Sequence, residues 1–409
     1  MTQSLSDITV LDLSRILAGP WAGQLLADLG AEVIKIERPG TGDDTRAFGP
    51  PFVRDATGAE CAGADAVYYL CANRNKKSVT LDISTPEGQR IVRELASTSD
   101  IVLENFKAGG LAAYGLDFES LRAVNPRLIY CSITGFGQTG PYSGRAGYDF
   151  LVQGMGGLMS ITGRGPDEPG AGPQKVGVAV TDILTGLYAT VGILAALRHR
   201  ERTGMGQHID VSLLDVQVAC LANQALNYLN SGQVPQRLGN AHPNIVPYQD
   251  FPTSDGYMII AVGNDAQFAR LCAVAGLPGL ADDPRFTSNQ RRVENRAALI
   301  ERLCSATRLR TTSQWIHDLE RVGVPCGPIN TLDGVFADPQ VRARGMSFEL
   351  PHPVAGQVSL VANPLRLSET PVSYRSAPPV LGADTREVLS RRLGLTEIDI
   401  EALSAGKII

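Results

Sequence analysis

The chain has 409 residues and a mass of 43.6 kDa. This is longer than a chain that folds around one ordinary hydrophobic core, so its length predicts two or three domains. Hydrophobic residues make up 44% of the chain and charged residues 19%, which is typical of a globular protein rather than a disordered one. The formal net charge of −5 disfavours a general nucleic-acid binder, because such proteins normally carry an excess of basic residues.

Composition also bears on membranes, disulfides and metals. No stretch approaches 18 uninterrupted apolar residues, and the first residues lack the basic-then-apolar layout of a signal peptide. The seven cysteines are scattered without a CxxC pair, and the five histidines form no i, i+4 pair. We therefore expect a cytoplasmic protein with no membrane association, no disulfide framework and no metal.

The first 40 residues predict a strand, a helix and a second strand. An apolar strand covers residues 8–13, a turn follows at 16–20, and apolar residues then recur at helical spacing from Trp21 to Leu29. Gly30 is placed to end that helix, and residues 31–37 predict the second strand. Strand, helix and strand within 30 residues indicate a βαβ unit with parallel pairing.

This pattern continues along the chain and predicts a doubly wound, Rossmann-like parallel sheet. The expected strands lie at residues 78–82, 101–104, 128–133 and 207–212, and the expected helices at residues 85–97 and 182–202.

Residues from about 225 to 340 differ in character, with several Pro-marked turns, a short strand at 257–262 and several helices. We predict a large α/β domain over residues 1–224, completed by residues 341–409, and a smaller α+β domain with its linkers over residues 225–340. A helix at 385–393 is expected to return to the large domain.

Basic residues follow or precede several of the predicted strands. Arg38 follows one strand, residues 74–77 (RNKK) precede another, and Lys107 follows a third. At the carboxyl edge of a parallel sheet they would surround a polyanionic ligand; the alternative is a set of separate, solvated charges. The early turn at 16–20 would place helix N–H groups where a phosphate could dock. It carries neither a GxGxxG nor a P-loop sequence, so on its own the turn favours plain fold architecture.

Asp182 is the most informative carboxylate. It opens an apolar helix directly after a glycine-rich region at 135–177. From spacing alone it is either a partner of the helix dipole or a catalytic carboxylate.

At this point several motifs together resemble one family, the class III CoA-transferases, which include formyl-CoA, carnitine and dicarboxylate CoA-transferases. The resemblance covers nearly the whole chain. It rests on VLDLSRILAGPWAGQLLADLGAEVIKIERPGTGD, NRNKKSVTLDISTPEG, ENFKAG, NPRLIYCSITGFGQTGPYSGRAGYD and VAVTDILTGLYA. It implies a Rossmann-like large domain, a smaller domain and an interlocked homodimer, with coenzyme A bound as an acyl-CoA substrate and a small carboxylic acid as the second substrate.

The resemblance also implies site residues. Asp182 matches the catalytic aspartate of the family. The positions that match CoA-contacting segments are Leu17, Ala18, Arg38, Ala72, Asn73, Arg74, Asn75, Lys76, Asn105, Phe106, Lys107, Thr134, Gly135, Phe136 and Gly137. Formyl-CoA transferase has basic residues where this chain has Ala113 and Thr134, so Lys107 or Lys77 is expected to supply phosphate contacts instead.

The implied reaction moves CoA from an acyl-CoA donor to a carboxylic acid through an aspartyl anhydride and an aspartyl-CoA thioester. An aspartate is ordinarily ionised at neutral pH and needs no base to attack a thioester. The alternative reaction is that of the α-methylacyl-CoA racemases, which share the fold but use a histidine where this chain has Tyr148. Tyrosine is a poor base near neutral pH, so transfer is favoured.

The segment HPNIVPYQ at residues 242–249 is similar to that of family members acting on succinyl-CoA and a second dicarboxylate. We therefore expect succinyl-CoA as donor and a C4 to C6 dicarboxylic acid as acceptor. Arg145, Tyr148, His242 and Asn244 are the candidate acceptor-binding residues. The alternative is that His242 only caps a turn and that Arg145 is solvated.

Overall fold

The computed structural model describes residues 3–55, 57–59 and 63–409. The chain forms two compact units. The first comprises Met1–Leu158, Val176–Leu226 and Gln340–Ile409, and the second comprises Met159–Lys175 and Asn227–Pro339. The sequence boundaries at 224/225 and 340/341 fall close to these divisions. Residues 159–175 differ, since they belong with the second unit, where Arg237 Nε donates to the Arg164 carbonyl oxygen at 3.1 Å.

The strands in chain order are β1 Thr9–Asp12, β2 Glu32–Glu37, β3 Lys76–Thr80, β4 Ile101–Glu104, β5 Ile129–Thr134, β6 His208–Ser212, β7 Tyr248–Pro252, β8 Tyr257–Ala261, β9 Cys326–Pro328, β10 Ser347–His352 and β11 Gly356–Val361. The helices are α1 Ala18–Asp28, α2 Val67–Leu70, α3 Pro86–Ser97, α4 Phe118–Val124, α5 Asp149–Met155, α6 Leu158–Ile161, α7 Val180–Thr203, α8 Leu213–Ala219, α9 Ala222–Ser231, α10 Asp265–Val274, α11 Gly279–Asp282, α12 Asn289–Glu294, α13 Arg296–Thr307, α14 Thr312–Arg321, α15 Leu332–Ala337, α16 Pro339–Ala343, α17 Thr385–Leu393 and α18 Glu397–Ala405. Short 3₁₀ turns lie at Asp44–Ala47 and Ala112–Tyr114.

The first unit contains a six-stranded sheet in the order β3-β2-β1-β4-β5-β6, and every neighbouring pair is parallel. This is the Rossmann order, so the predicted α/β fold and parallel sheet are confirmed. Strand β4 has the predicted bounds, whereas β3 begins two residues before the predicted start, at Lys76. Two consecutive lysines, Lys76 and Lys77, are not typical of a buried strand. Lys76 is tolerated there because it forms an ion pair with Asp12.

Apolar side chains cover both faces of the sheet. On one face α1 and α7 pack over Val10, Leu103 and Ile133. On the other face α3, α4, α17 and α18 pack over Leu11 and Val102. Both faces are therefore buried, as expected for parallel strands joined by crossover helices. An antiparallel hairpin of β10 and β11 completes this unit.

Two buried lysines lie on neighbouring strands, Lys35 in the second half of β2 and Lys76 at the first position of β3. Lys76 Nζ lies 2.9 Å from Asp12 Oδ2, and Lys35 Nζ lies 2.8 Å from Asp43 Oδ2; all four side chains are fully buried. Burial lowers the pKa of Lys76 to about 8, although Asp12 opposes that shift. Helix α1 passes so close that a Cβ on Gly23 would lie 2.8 Å from the Asp12 carboxylate, so glycine is needed there.

The second unit has an antiparallel sheet in the order β7-β8-β9. Helices α10 to α14 lie between β8 and β9 in the chain, and α15 follows β9. The core of this unit contains Phe251, Phe268, Phe286 and Trp315, all buried. Arg292 is also buried and donates to the carbonyl oxygens of Val246 and Phe286.

Helix α7 is the one helix in the described part of the chain that is long and apolar enough to cross a membrane. Of the 18-residue apolar stretch within this helix, 44% is buried, and core helices often share that length and composition. Its inner face includes Ala189 and Ile193, which are fully buried beside the sheet. Its other face leaves Leu187, Tyr188, Val191 and Leu194 exposed.

Candidate active site

Two cavities lie at the carboxyl edge of the six-stranded sheet. The Asp182 pocket has a volume of about 390 Å³ and is lined by residues 15–18, 105–108, 133–135 and 145–148, with Gly110, Ser143, Asp182 and Leu213. The Arg38 pocket has a volume of about 400 Å³ and is lined by residues 36–38 and 81–84, with Leu13, Arg15, Gly42, Asp43, Phe106 and Tyr114. Arg15 and Phe106 line both cavities, so the two adjoin at these side chains.

Asp182 is the third residue of α7 and lies half-buried in its pocket. The first backbone N–H groups of a helix have no partner within the helix, and they favour a negative charge at this position. Asp149, in the first turn of α5, lies beside it: its Oδ1 accepts the Thr181 N–H at 2.9 Å. Its Oδ2 accepts a hydrogen bond from Gln153 Nε2 at 2.7 Å, so the Asp149 carboxylate is held in place.

Burial raises the pKa of Asp182, and the charge of Asp149 raises it further, to about 7. The sequence-based expectation of an ordinary, fully ionised aspartate is therefore revised, because a pKa of about 7 means that a fraction of these carboxyls carries a proton at neutral pH. A carboxylate with a raised pKa is also a more basic group than an ordinary aspartate. Such perturbed groups in a cleft are frequent at catalytic sites.

Several of the residues singled out in the sequence come together at these cavities. Leu17, Ala18, Asn105, Phe106, Lys107, Thr134, Gly135, Arg145, Tyr148 and Asp182 all line the Asp182 pocket, and Arg38 lines the adjoining one. Phe136 and Gly137 continue the same loop without lining either cavity, and the Gly137 N–H donates to Thr134 Oγ1 at 2.8 Å.

The wall of the Asp182 pocket contains a close crossing of two loops. A Cβ on Gly135 would lie 2.5 Å from the Cα of Gly147, and a Cβ on Gly147 would lie 2.4 Å from the Cα of Gly135. Neither position accepts a larger residue without a backbone shift. The crossing fixes the loop that carries Arg145 and Tyr148 against the end of β5.

The segment of residues 72–76 lies away from these two cavities. Ala72, Asn73, Arg74, Asn75 and Lys76 are buried and line neither of the two cavities. Their polar groups have partners within the unit: Arg74 Nη2 lies 2.6 Å from Asp28 Oδ2, and Asn75 Nδ2 donates to Asp28 Oδ1 at 2.9 Å. Arg74 and Lys76 are therefore not separate, solvated charges, since both are paired within the unit. The CoA contact that the family resemblance implies for residues 72–76 stays a prediction.

The two alternative phosphate-binding lysines are also separated by the structure. Lys107 is exposed and lines the Asp182 pocket. Lys77 lies in ion pairs with Glu387 (2.5 Å) and Glu32 (3.5 Å), and it lines neither of the two cavities. Of the two, only Lys107 is positioned for a ligand in the Asp182 pocket.

Arg145 and Tyr148 belong to the same pocket as Asp182. The Arg145 guanidinium lies 4.7 Å from the centre of the Tyr142 ring, and Arg145 itself is exposed. Tyr148 is 65% exposed, so its phenol faces solvent. Stacking on an aromatic ring orients a guanidinium while leaving its N–H groups available to an anion.

His242 and Asn244 lie in the second unit and form part of one turn. His242 Nδ1 accepts the Asn244 N–H at 3.1 Å, and Asn227 Nδ2 donates to Asn244 Oδ1 at 3.1 Å. Arg296 holds the same turn through the His242 carbonyl oxygen at 2.8 Å. His242 thus caps a turn, as one of the two alternatives supposed, and a role for it in binding stays a prediction.

Sequence reasoning overlooked Arg15 and Asp149. Arg15 lines both cavities and pairs with Asp44 at 2.8 Å. A basic residue two positions before the predicted Leu17 contact was an available signal for Arg15. For Asp149 the only signal was adjacency to Tyr148, because its position beside Asp182 depends on the packing of two helices.

Replacing Asp149 with asparagine is expected to lower the pKa of Asp182 below about 7 while leaving it above the ordinary aspartate value, because the repulsion is removed but burial, the larger cause, remains. Asparagine keeps an oxygen for the Thr181 N–H. Titration of ¹³C-labelled aspartate carboxyls by NMR measures the shift, with Asp182→Asn identifying the signal. An unchanged pKa in Asp149→Asn would show that the two carboxyls do not interact.

Comparison with known proteins shows the family of the chain. A family model described as CoA-transferase family III matches residues 5–385. The chain is 53% identical to a succinate–glutarate CoA-transferase of Agrobacterium fabrum, over 94% of this chain and 95% of that protein. It is 46% identical to a human succinyl-CoA:glutarate CoA-transferase, over 98% of this chain and 89% of that protein. A crystal structure of a CAIB/BAIF family protein from Brucella suis matches with a TM-score of 0.82 at 50% identity, over 96% of this chain and all of that one. The family inferred from the motifs is thereby confirmed, and the chain belongs to CoA-transferase family III.

Proposed function

We propose that this chain moves CoA from succinyl-CoA to a C4 to C6 dicarboxylic acid, with glutarate as the first candidate, and that Asp182 is the nucleophile. The observation that carries the proposal is the placement of Asp182: a half-buried carboxyl at a helix N-terminus, in a pocket bordered by the turns at 15–18 and 105–108. Relatives at 46% to 53% identity, named for succinate or succinyl-CoA and glutarate, support the choice of substrates.

The adjoining cavities suit a long thioester substrate. In the proposed pose the nucleotide of CoA occupies the Arg38 pocket, where a guanidinium can pair with phosphate. The pantetheine arm passes Arg15 and Phe106, and the thioester reaches Asp182. Lys107 supplies a second cation beside that path.

The reaction then proceeds in four balanced steps. The Asp182 carboxylate attacks the succinyl-CoA carbonyl carbon, and the C–S bond breaks to give a mixed anhydride and CoA thiolate. The thiolate attacks the aspartyl carbonyl, which releases succinate and leaves an aspartyl-CoA thioester. The acceptor carboxylate attacks that thioester and expels the thiolate, which finally attacks the acceptor carbonyl of the new anhydride and regenerates the Asp182 carboxylate. No net proton is consumed.

The pKa of about 7 at Asp182 fits this role. A carboxylate with a raised pKa is less stabilised by its surroundings, so its ionised form is a better nucleophile toward the thioester. Among the described residues that line the pocket there is no histidine, which favours transfer over the racemase alternative.

Asp182→Ala is expected to lower the rate of CoA exchange by at least about 10³-fold, because the nucleophile is removed. The assay mixes succinyl-CoA with glutarate and follows glutaryl-CoA by mass spectrometry. Asp215→Ala is the matched control, since Asp215 is likewise the third residue of a helix but is exposed. Exchange at the parent rate in Asp182→Ala would contradict the mechanism.

We propose that Arg145 binds the distal carboxylate of the acceptor. Arg145→Ala is then expected to raise KM for glutarate about 10- to 100-fold, the range of a charge-assisted hydrogen bond, with a much smaller effect on a monocarboxylic acceptor. Arg122→Ala is the control, because that guanidinium also lies over an aromatic ring, Phe118, at 5.6 Å but lines neither cavity. Equal effects on both acceptors would exclude Arg145 from carboxylate recognition.

We also propose that the chain assembles as an interlocked homodimer, as its resemblance to the family implies. The exposed apolar residues of α7, Leu187, Tyr188, Val191 and Leu194, are a surface that a second copy would bury. Light scattering is expected to give twice the 43.6 kDa chain mass, and Val191→Asp is expected to weaken assembly. A monomer at micromolar concentration would overturn this proposal.

A further inference from the structure

Ile16 has an unusual backbone conformation for its residue type. Its φ is +71°, in the left-handed region, which β-branched residues rarely adopt because the side chain crowds the backbone. Ile16 lines the Asp182 pocket and directly precedes Leu17 and Ala18, where α1 begins. Such strain persists only where the surroundings hold it, and it is frequent at functional sites.

The surroundings that hold it are identifiable. Asn105, directly after β4, uses both ends of its amide on Arg15: its Oδ1 accepts the Arg15 N–H at 2.9 Å, and its Nδ2 donates to the Arg15 carbonyl oxygen at 2.6 Å. The Ile16 N–H donates to Asp43 Oδ1 at 3.2 Å.

Buried charges extend this arrangement on both sides. Lys35 pairs with Asp43 and also donates to the Ser14 carbonyl oxygen at 2.8 Å, so residues 14, 15 and 16 are each held by a side chain from elsewhere in the unit. Asn105 is itself fixed, because the next N–H, that of Phe106, donates to the buried carboxyl of Glu104 at 2.8 Å. The amide of Asn105 therefore joins the two loops that border the Asp182 pocket.

We propose that Asn105 is a positioning residue: it holds the left-handed conformation of Ile16 and thereby sets Leu17 and Ala18 against the bound thioester. The inference rests on the proposed function and differs from the contact that the family resemblance implied for Asn105. Its amide hydrogen-bonds the Arg15 peptide through both its oxygen and its nitrogen, so its effect on the substrate passes through the turn.

The experiment separates positioning from direct contact by a rescue. Asn105→Ala is expected to lower kcat/KM for succinyl-CoA about 10- to 100-fold, the scale of a small misplacement of reacting groups. Glycine adopts positive φ without crowding. Adding Ile16→Gly to Asn105→Ala is therefore expected to restore roughly tenfold of the loss, the scale of the penalty that a non-glycine residue carries in this conformation.

Asn125→Ala is the matched control, since the Asn125 amide also donates to two backbone carbonyl oxygens, those of Ala96 and Ser99, but lines neither cavity. It is expected to lower the melting temperature by a similar amount and to keep the parent kcat/KM. Ile16→Gly alone serves as the reference for the lost side chain. Asn105→Asp keeps the acceptor for the Arg15 N–H but places a carboxylate oxygen against the Arg15 carbonyl oxygen. It provides a second test should Asn105→Ala fail to fold, and it is expected to lower kcat/KM as well.

Hydrogen exchange of a peptide covering residues 13–21 gives a readout that does not depend on turnover. Faster exchange in Asn105→Ala, with partial recovery in the double variant, is the expected result. If the parent protein transfers no CoA but hydrogen exchange follows this pattern, the proposed function fails, whereas the inference that Asn105 holds the turn at residues 15 and 16 is supported. If the parent transfers CoA but the double variant is no better than Asn105→Ala, or if exchange is unchanged, the positioning role is overturned and direct contact with CoA is favoured.

Discussion

The Asp182 pocket depends on buried ion pairs within the large sheet and between the sheet and the loop that follows β2. Lys35 and Lys76 lie on neighbouring strands with fully buried side chains, and each is tied to a carboxylate, Asp43 and Asp12 respectively. Removing an ion from water costs several kcal/mol, so such pairs add little stability in themselves. Here they do something that apolar residues would not do: their spare hydrogen bonds go to the backbone, at the Ser14 and Pro20 carbonyl oxygens, just where the pocket turn and α1 begin.

The same reasoning explains the difference between the two kinds of charge at this edge. The charges under the sheet have partners, and Lys35 and Asp43 stay ionised: burial opposes this, but Asp43 and Asp12 raise the pKa of Lys35, and Lys35 lowers the pKa of Asp43 to about 2. Asp182 is half-buried beside a second carboxylate, so its pKa moves in the opposite direction. One edge of one sheet thus contains strongly paired charges that hold the loops and a destabilised charge that lines the Asp182 pocket.

Much of this was accessible from the sequence, because apolar spacing reports directly on parallel strands and their crossover helices. Strand β4 and helix α17 have the predicted bounds, and the motif around Asp182 placed that residue at a helix start. The role of residues 73–76 was not accessible, because the same run of basic and amide residues is compatible with solvent exposure and with buried partners. In the structure those partners include Asp12 of β1 and Asp28 of α1. The raised pKa of Asp182 depends first on burial and then on Asp149, 33 positions earlier in the chain, and sequence spacing reports neither. Neither does it report a positive φ at an isoleucine.

The junction at Arg15 and Phe106, where the Arg38 pocket adjoins the Asp182 pocket, has a kinetic consequence under the proposed function. A CoA held by its nucleotide on one side of the junction remains attached to the protein while its sulfur is released on the other. The thiolate is then a tethered reagent whose effective concentration at the aspartyl carbonyl is set by the length of the pantetheine arm, not by free CoA in solution. Between the two halves of the exchange, one end of an anchored molecule moves while succinate leaves and the acceptor acid enters.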